Sequence, residues 1–120
     1  MTTDTRSETD TASPSEPVQI EGTSHLDEVV AEQDVVLVDF YADWCGPCQM
    51  MEPSIEKLAA ESDATVAKVD VDARQQLASA YGFRGVPTSV LFADGEQVDQ
   101  QVGMIPEERL FDLVEGYTNE

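Results

Sequence analysis

The chain carries 120 residues, 41% of them hydrophobic, with 25 acidic against 6 basic side chains and a formal net charge of −19. That length suits one domain with a single core and leaves no room for a second. So acidic a chain argues against nucleic acid or an anionic membrane as partner, since both would repel it, and no apolar run approaches the ~20 residues of a membrane-spanning helix.

Residues 1–16 are mostly Thr, Ser, Asp, Glu and Pro, with Met1 and Ala12 as the exceptions among the apolar types. They cannot bury enough surface to order themselves, so a disordered acidic tail over 1–16 and a folded domain over 17–120 are expected. No basic start followed by an apolar stretch of about seven residues marks a secretory leader. A cytoplasmic address is therefore expected, where thiols are kept reduced and a close cysteine pair is more often catalytic than structural.

Folded structure is predicted to open with a short strand at Val18–Ile20. Ser24-His25-Leu26-Asp27 has the pattern of a capping box, with a helix following through Ala31 or Glu32 and His25 solvated in its first turn. Val35-Val36-Leu37-Val38-Asp39-Phe40-Tyr41 lacks polar alternation and reads as a strand covered on both faces, broken only by Asp39. After Ala42-Asp43-Trp44-Cys45-Gly46-Pro47-Cys48, the apolar positions Met51, Ile55, Leu58 and Ala59 recur at helical spacing, and Pro53 should bend that helix by removing one donor. Ala64–Val71 is the next strand. Asp72 is placed to cap a helix over Ala73–Tyr81 that Gly82 ends in the left-handed conformation. Thr88–Ala93 and Gln97–Val102 flank Asp94-Gly95-Glu96, a hairpin signal. Pro106, then Glu107 and Glu108, open a last helix that turns Leu110, Phe111 and Val114 inward. The order β-α-β-α-β-α-β-β-α shows no internal repeat and, from pattern alone, gives the α/β class.

Both cysteines fall in the loop between an apolar strand and a helix, at the strand's C-terminal end, where reactive groups gather in open α/β sheets. Cys45 lies at the helix start, where unpaired amides and the helix dipole favour a thiolate, so Cys45 is the expected exposed, attacking sulfur. Cys48, one turn later, is within disulfide reach, and the spacing predicts a pair that cycles between dithiol and disulfide. A purely structural disulfide is poorly motivated, because so short a loop removes little chain entropy. Structural zinc usually takes four ligands, whereas the chain offers two cysteines and the distant His25. Asp39 is a different problem: an unpaired buried carboxylate is costly and its pKa should rise, unless Lys68 on the adjacent predicted strand holds it in a fixed ion pair.

Val38-Asp39-Phe40, Trp44-Cys45-Gly46-Pro47-Cys48, Pro53, Val69-Asp70-Val71-Asp72 and Gly85-Val86-Pro87-Thr88 occur in the order seen in the thioredoxin family, which the chain resembles from about Val18 onward. The resemblance implies the thioredoxin fold, a central mixed sheet flanked by helices. It also implies that Asp39 is a buried acid beneath Cys48 that acts as its general base, with Lys68 nearby. Pro87 would be tolerated at a strand start in any case, but the resemblance implies a cis Val86–Pro87 bond against the cysteines. The backbone of Gly85 and Val86 would then be free to pair with an extended substrate segment. Trp44, Gly103 and Met104 would form an apolar rim around Cys45; read alone, Trp44 could be packing and Gly103 a bulge or turn.

In this family Gly46 and Pro47, between the cysteines, go with reductants. The implied activity is a thiol–disulfide oxidoreductase serving as a general protein-disulfide reductant, a monomer needing no metal or cofactor beyond its Cys45–Cys48 disulfide. Disulfide-containing proteins would be its substrates, and a flavoprotein of the thioredoxin-reductase type would re-reduce it. A disulfide isomerase or oxidase, and a non-catalytic binding subunit of the same fold, are the alternatives. Gln49 and Tyr41 depart from the family's common lysine and tryptophan. Through Glu21 the tail holds five acidic residues and one arginine, a net −4 that leaves −15 on the rest. Acids spread over nearly every predicted element favour a salt-rich cytoplasm over a merely solubilising tail.

Overall fold

The computed structural model describes residues 14–82 and 85–118. The predicted disordered tail lies outside the described residues as far as residue 13. Five strands alternate with four helices: β1 Val18–Gln19, α1 Thr23–Glu32, β2 Val35–Tyr41, α2 Gly46–Glu61, β3 Thr65–Asp70, α3 Gln75–Tyr81, β4 Thr88–Ala93, β5 Glu96–Val102 and α4 Glu107–Thr118. They form one mixed sheet in the order β1-β3-β2-β4-β5. The first three strands run parallel, while β4 pairs antiparallel to both β2 and β5.

The apolar run of β2 occupies the centre of this sheet, and every residue from Val35 to Phe40 is buried. Successive side chains leave opposite faces of a strand, so each face of β2 must be covered separately. Val35 and Leu37 pack with Met51, Ile55, Leu58, Leu110 and Val114 under α2 and α4. Val36, Val38 and Phe40 pack with Leu26 and Leu77 under α1 and α3. A carboxylate at position 39 therefore points into the α2 face of the sheet. The hairpin forms as expected: Asp94 and Gly95 both take positive φ, 53° and 86°, the pair of values that a two-residue turn matched to strand twist needs. Pro53 lies within α2 without ending it, and Gly82 closes α3 in the left-handed conformation. Outside the sheet, Lys57 of α2 and Glu107 of α4 form a 2.9 Å ion pair.

Two helix starts differ from the expected ones. α1 begins at Thr23 behind Gly22, so Ser24 falls inside the first turn and no side chain caps it. His25 does more than sit in solvent, since its Nδ1 accepts the backbone N–H of Glu21 at 3.0 Å. α3 begins only at Gln75, and Asp72 does not cap it. The Asp70 carboxylate instead gathers the backbone N–H groups of Asp72 and Ala73, at 2.9 and 3.2 Å, into a turn that delays the helix.

Thr65 Oγ1, at the start of β3, is fully buried and has no hydrogen-bond partner among the described residues. An unsatisfied buried hydroxyl costs stability, whereas valine fills the same shape without it. Thr65→Val is expected to stabilise the chain by about 1 kcal/mol, seen as a higher urea midpoint at unchanged slope; a lower midpoint would mean the hydroxyl is satisfied.

Candidate functional site

Where β2 ends, the chain turns through Ala42-Asp43-Trp44, and the Cys45 N–H closes this turn on the Ala42 carbonyl at 3.1 Å. Cys45 is the N-cap of α2, and its Sγ accepts the backbone N–H of Cys48 at 3.1 Å. Sulfur here takes the place that a serine or aspartate oxygen fills at other helix starts. Pro47 sits where a first-turn N–H would have no helical partner, so its missing donor costs nothing. The two cysteines are joined in a disulfide with their Cα atoms 5.2 Å apart.

Exposure does not set the cysteines apart in this oxidised state, contrary to the expected exposed Cys45: each is only 4% accessible. What separates them is their surroundings. Cys45 holds the helix-start position beside Trp44, which is 70% exposed. Cys48 borders a cavity of about 440 Å³ with Tyr41, Gln49, Glu52 and Lys68 on its walls.

Beside that cavity the structure favours the unpaired reading of Asp39 over a fixed ion pair with Lys68. Asp39 and Lys68 are registered neighbours on β2 and β3, so both side chains leave the same face of the sheet. Yet no ion pair joins them among the described residues, and the Lys68 ammonium is bound to Glu52 of α2. It also rests over the Tyr41 ring, 4.4 Å from the centroid. The Tyr41 hydroxyl accepts from Gln19 Nε2, on the edge strand β1, at 2.8 Å. On its other side Asp39 is registered with Ser89, whose buried hydroxyl has no partner among the described residues. With 2% of its surface accessible, Asp39 has its pKa pushed from 3.8 up to about 7. Burial is the main cause; the Lys68 charge opposes it and the Glu52 charge adds to it.

Around the disulfide, Val86 packs against Cys45 and Cys48, and the Val86–Pro87 bond is cis. The Pro87 carbonyl accepts the Gly103 N–H at 2.8 Å, which brings the end of β5 to the same edge, and Gly103 holds φ at 97°, a value that suits glycine. Met104 beside it is half exposed. Gly85 is less free than expected, because its carbonyl already accepts the Thr88 hydroxyl at 2.6 Å. Trp44 Nε1 donates to Asp72 Oδ2 at 2.8 Å, so Asp72 steadies the exposed indole. Gln49 Nε2 donates to the Asp43 carbonyl at 2.7 Å. Sequence reasoning missed Asp72's part and that of Glu52. The signal for Glu52 was its place four residues after Cys48, on the same helix face. Among the described residues, no group of three or more His, Cys, Asp or Glu side chains could hold a metal ion.

The Thioredoxin family model matches residues 16–116. The chain belongs to the thioredoxin family. It is 40% identical to a thioredoxin of Mycoplasmoides gallisepticum over 92 residues, which are 76% of this chain and 92% of that one. With a Rhodospirillum rubrum thioredoxin it shares 38% over 99 residues, 81% of this chain and 95% of the other. A solved mutant thioredoxin from Halobacterium salinarum superposes with a TM-score of 0.86 at 64% identity, covering 90% of this chain and 96% of that one. Thioredoxins are thiol–disulfide oxidoreductases that reduce protein disulfides through their own cysteine pair, without a cofactor, and are re-reduced by thioredoxin reductase. The chain has that activity through Cys45 and Cys48.

The buried carboxyl makes stability depend on pH with a definite sign. Below 3.8 Asp39 is protonated both folded and unfolded; between 3.8 and about 7 the unfolded chain ionises first, so folded stability is lost as pH rises through that interval and levels off above it. Asp39→Asn is therefore expected to be more stable than the parent, by a wider margin at pH 8 than at pH 5, in urea unfolding of the oxidised protein. An equal margin at both would place Asp39 in a solvated or fully paired setting.

Proposed function

We propose that the chain is a general reductant of protein disulfides in which Cys45 attacks and Cys48 resolves. The observation that carries the assignment is Cys45 Sγ at the N-cap of α2 with the Cys48 N–H aimed at it, the setting in which a thiolate is stabilised. The Cys45 thiolate attacks one sulfur of the substrate disulfide, and the other substrate sulfur leaves as a thiolate. A mixed disulfide joins Cys45 to the substrate. Asp39 takes the proton of the Cys48 thiol, and the Cys48 thiolate attacks Cys45 Sγ. The second substrate sulfur then leaves, two electrons have passed to the substrate, and the protein is left with the Cys45–Cys48 disulfide.

Asp39, with its pKa raised to about 7, would be poised to take and return a proton near neutrality, where general bases work best. Lys68 tunes it from the neighbouring strand. Trp44, Val86, Pro87, Gly103 and Met104 form the rim on which an extended substrate segment lies, with Val86 offering the backbone for strand-like pairing and Gly85 a second lone pair. Gly46 and Pro47 keep the helix start rigid between the sulfurs. The working state is a monomer in the cytoplasm, re-reduced by a flavoprotein thioredoxin reductase. Among the described residues, no helix is long and apolar enough to cross a membrane.

The charge suits a salt-rich cytoplasm. At −19 the compact chain repels itself, and molar salt shortens the screening length from about 8 Å to about 3 Å. The likeness to a Halobacterium salinarum structure at 64% identity is in keeping with that reading.

Two experiments test these assignments. Cys48→Ser is expected to accumulate mixed disulfides with substrate proteins and Cys45→Ser to accumulate none; trapping by Cys45→Ser alone would reverse the roles. The urea midpoint is expected to rise steeply as KCl goes from dilute to molar, with most of the gain at the low end and little change on deleting residues 1–16. A flat midpoint would remove the high-salt reading.

A further inference from the structure

The Lys68 ammonium has two carboxyl groups within its electrostatic reach and is bonded to only one of them. Asp39 is its registered neighbour across the β2–β3 pair, yet Glu52 of α2 holds it. The Tyr41 ring, fixed at its hydroxyl by Gln19, supports the ammonium from a second direction. The cation so bound lines the cavity beside Cys48. We propose that Glu52 is a positioning residue of the redox site: by claiming Lys68 it keeps that cation out of a direct pair with Asp39, so the buried carboxyl stays free to gain and lose a proton.

The physical alternatives differ sharply. An acid paired directly with a cation is held ionised, its pKa depressed by about 1–3 units, and it makes a poor proton acceptor at neutral pH. With Lys68 occupied elsewhere, desolvation is left to dominate, and Asp39 titrates where a base for a thiol is useful. Glu52 acts in one direction by both of its routes, since its own negative charge and its hold on Lys68 each favour the protonated Asp39. The other faces around Asp39 supply no rival charge among the described residues. Ser89, its registered neighbour on β4, is uncharged, and the core on this face of the sheet, from Leu37 to Met51, Ile55 and Leu110, is apolar. The Lys68 side chain is 11% accessible and that of Glu52 31%, so their pair is partly shielded from solvent and from salt. Shielding matters if the chain works in concentrated salt, because an exposed charge would lose most of its influence there.

The consequence for turnover rests on Asp39 being the base of Cys48, whereas the effect on Asp39 itself does not. The test is a carbon-13 NMR titration of the Asp39 carboxyl in the full oxidised chain, for the parent, Glu52→Gln, Lys68→Met and the double variant. Glu52→Gln is expected to lower the Asp39 midpoint by about one pH unit, a tenfold loss of proton affinity, as Lys68 swings onto the carboxylate. Lys68→Met is expected to raise it. In the Lys68→Met background, Glu52→Gln should then lower it by less than half as much, since only the direct charge effect is left. An unmoved midpoint in Glu52→Gln, or an equal fall with and without Lys68, would overturn the proposal. The pH profile of substrate reduction separates the two readings: if the midpoint moves and the profile does not follow, Glu52 positions Lys68 as proposed and Asp39 is not the base.

Discussion

A carboxyl group in a strand covered on both faces is the constraint on which the rest of this site depends. β2 is buried from Val35 to Phe40 because helices lie over both sides of the sheet, and Asp39 is left with 2% of its surface accessible. Desolvation penalises its charged form, and among the described residues no direct ion pair cancels that penalty. It pays in stability at neutral pH for a group whose proton is exchangeable there. The same strand ends four residues before Cys45, so the fold that buries the carboxyl also delivers the cysteine loop to the sheet's C-terminal edge.

The cysteines use a different part of the same geometry. A helix start leaves its first N–H groups without helical partners, and in α2 one of them, that of Cys48, is directed at Cys45 Sγ. Because Cys45 is the N-cap and Cys48 lies one turn inside, the chain gives two chemically identical side chains unequal surroundings. The first follows the exposed Trp44 at the helix start, and the second borders the cavity lined by Glu52 and Lys68. An asymmetric dithiol is what directional exchange requires, since one sulfur must meet the substrate and the other must expel it.

Much of this was legible in the sequence because it rests on local rules. The run Val35–Phe40, apolar except for Asp39, the Met51/Ile55/Leu58 spacing and Asp94-Gly95 each encode one element through a single periodicity or turn preference, and each formed as expected. The start of α3 was misread because capping residues compete, while that of α1 moved to Thr23 behind Gly22, where no side-chain cap forms among the described residues. Asp70 and Asp72 both can accept backbone N–H groups, and only the tertiary position of Trp44 decides that Asp72 is used elsewhere. The sequence left open whether Lys68 pairs with Asp39 and did not point to Glu52 as its partner. Strand register correctly put Lys68 beside Asp39, but a long flexible side chain reaches beyond its own neighbour, and Glu52 arrives from a helix whose rotation the pattern did not specify. That Cys45 is as buried as Cys48 could not be read from a motif at all, since it depends on how Val86 and its neighbours close over the disulfide.

The central claim is that Asp39 supplies the proton acceptor that lets Cys48 resolve the mixed disulfide. It is tested most directly by forming the mixed disulfide of Cys45 with a small chromophoric thiol and following its release in a single turnover across pH. The parent is expected to show a release rate that rises through a midpoint near the Asp39 pKa of about 7, and Asp39→Asn is expected to be slower at neutral pH and to lack that inflection. The same inflection at the same pH in both proteins would contradict the account and assign the titration to Cys48 alone.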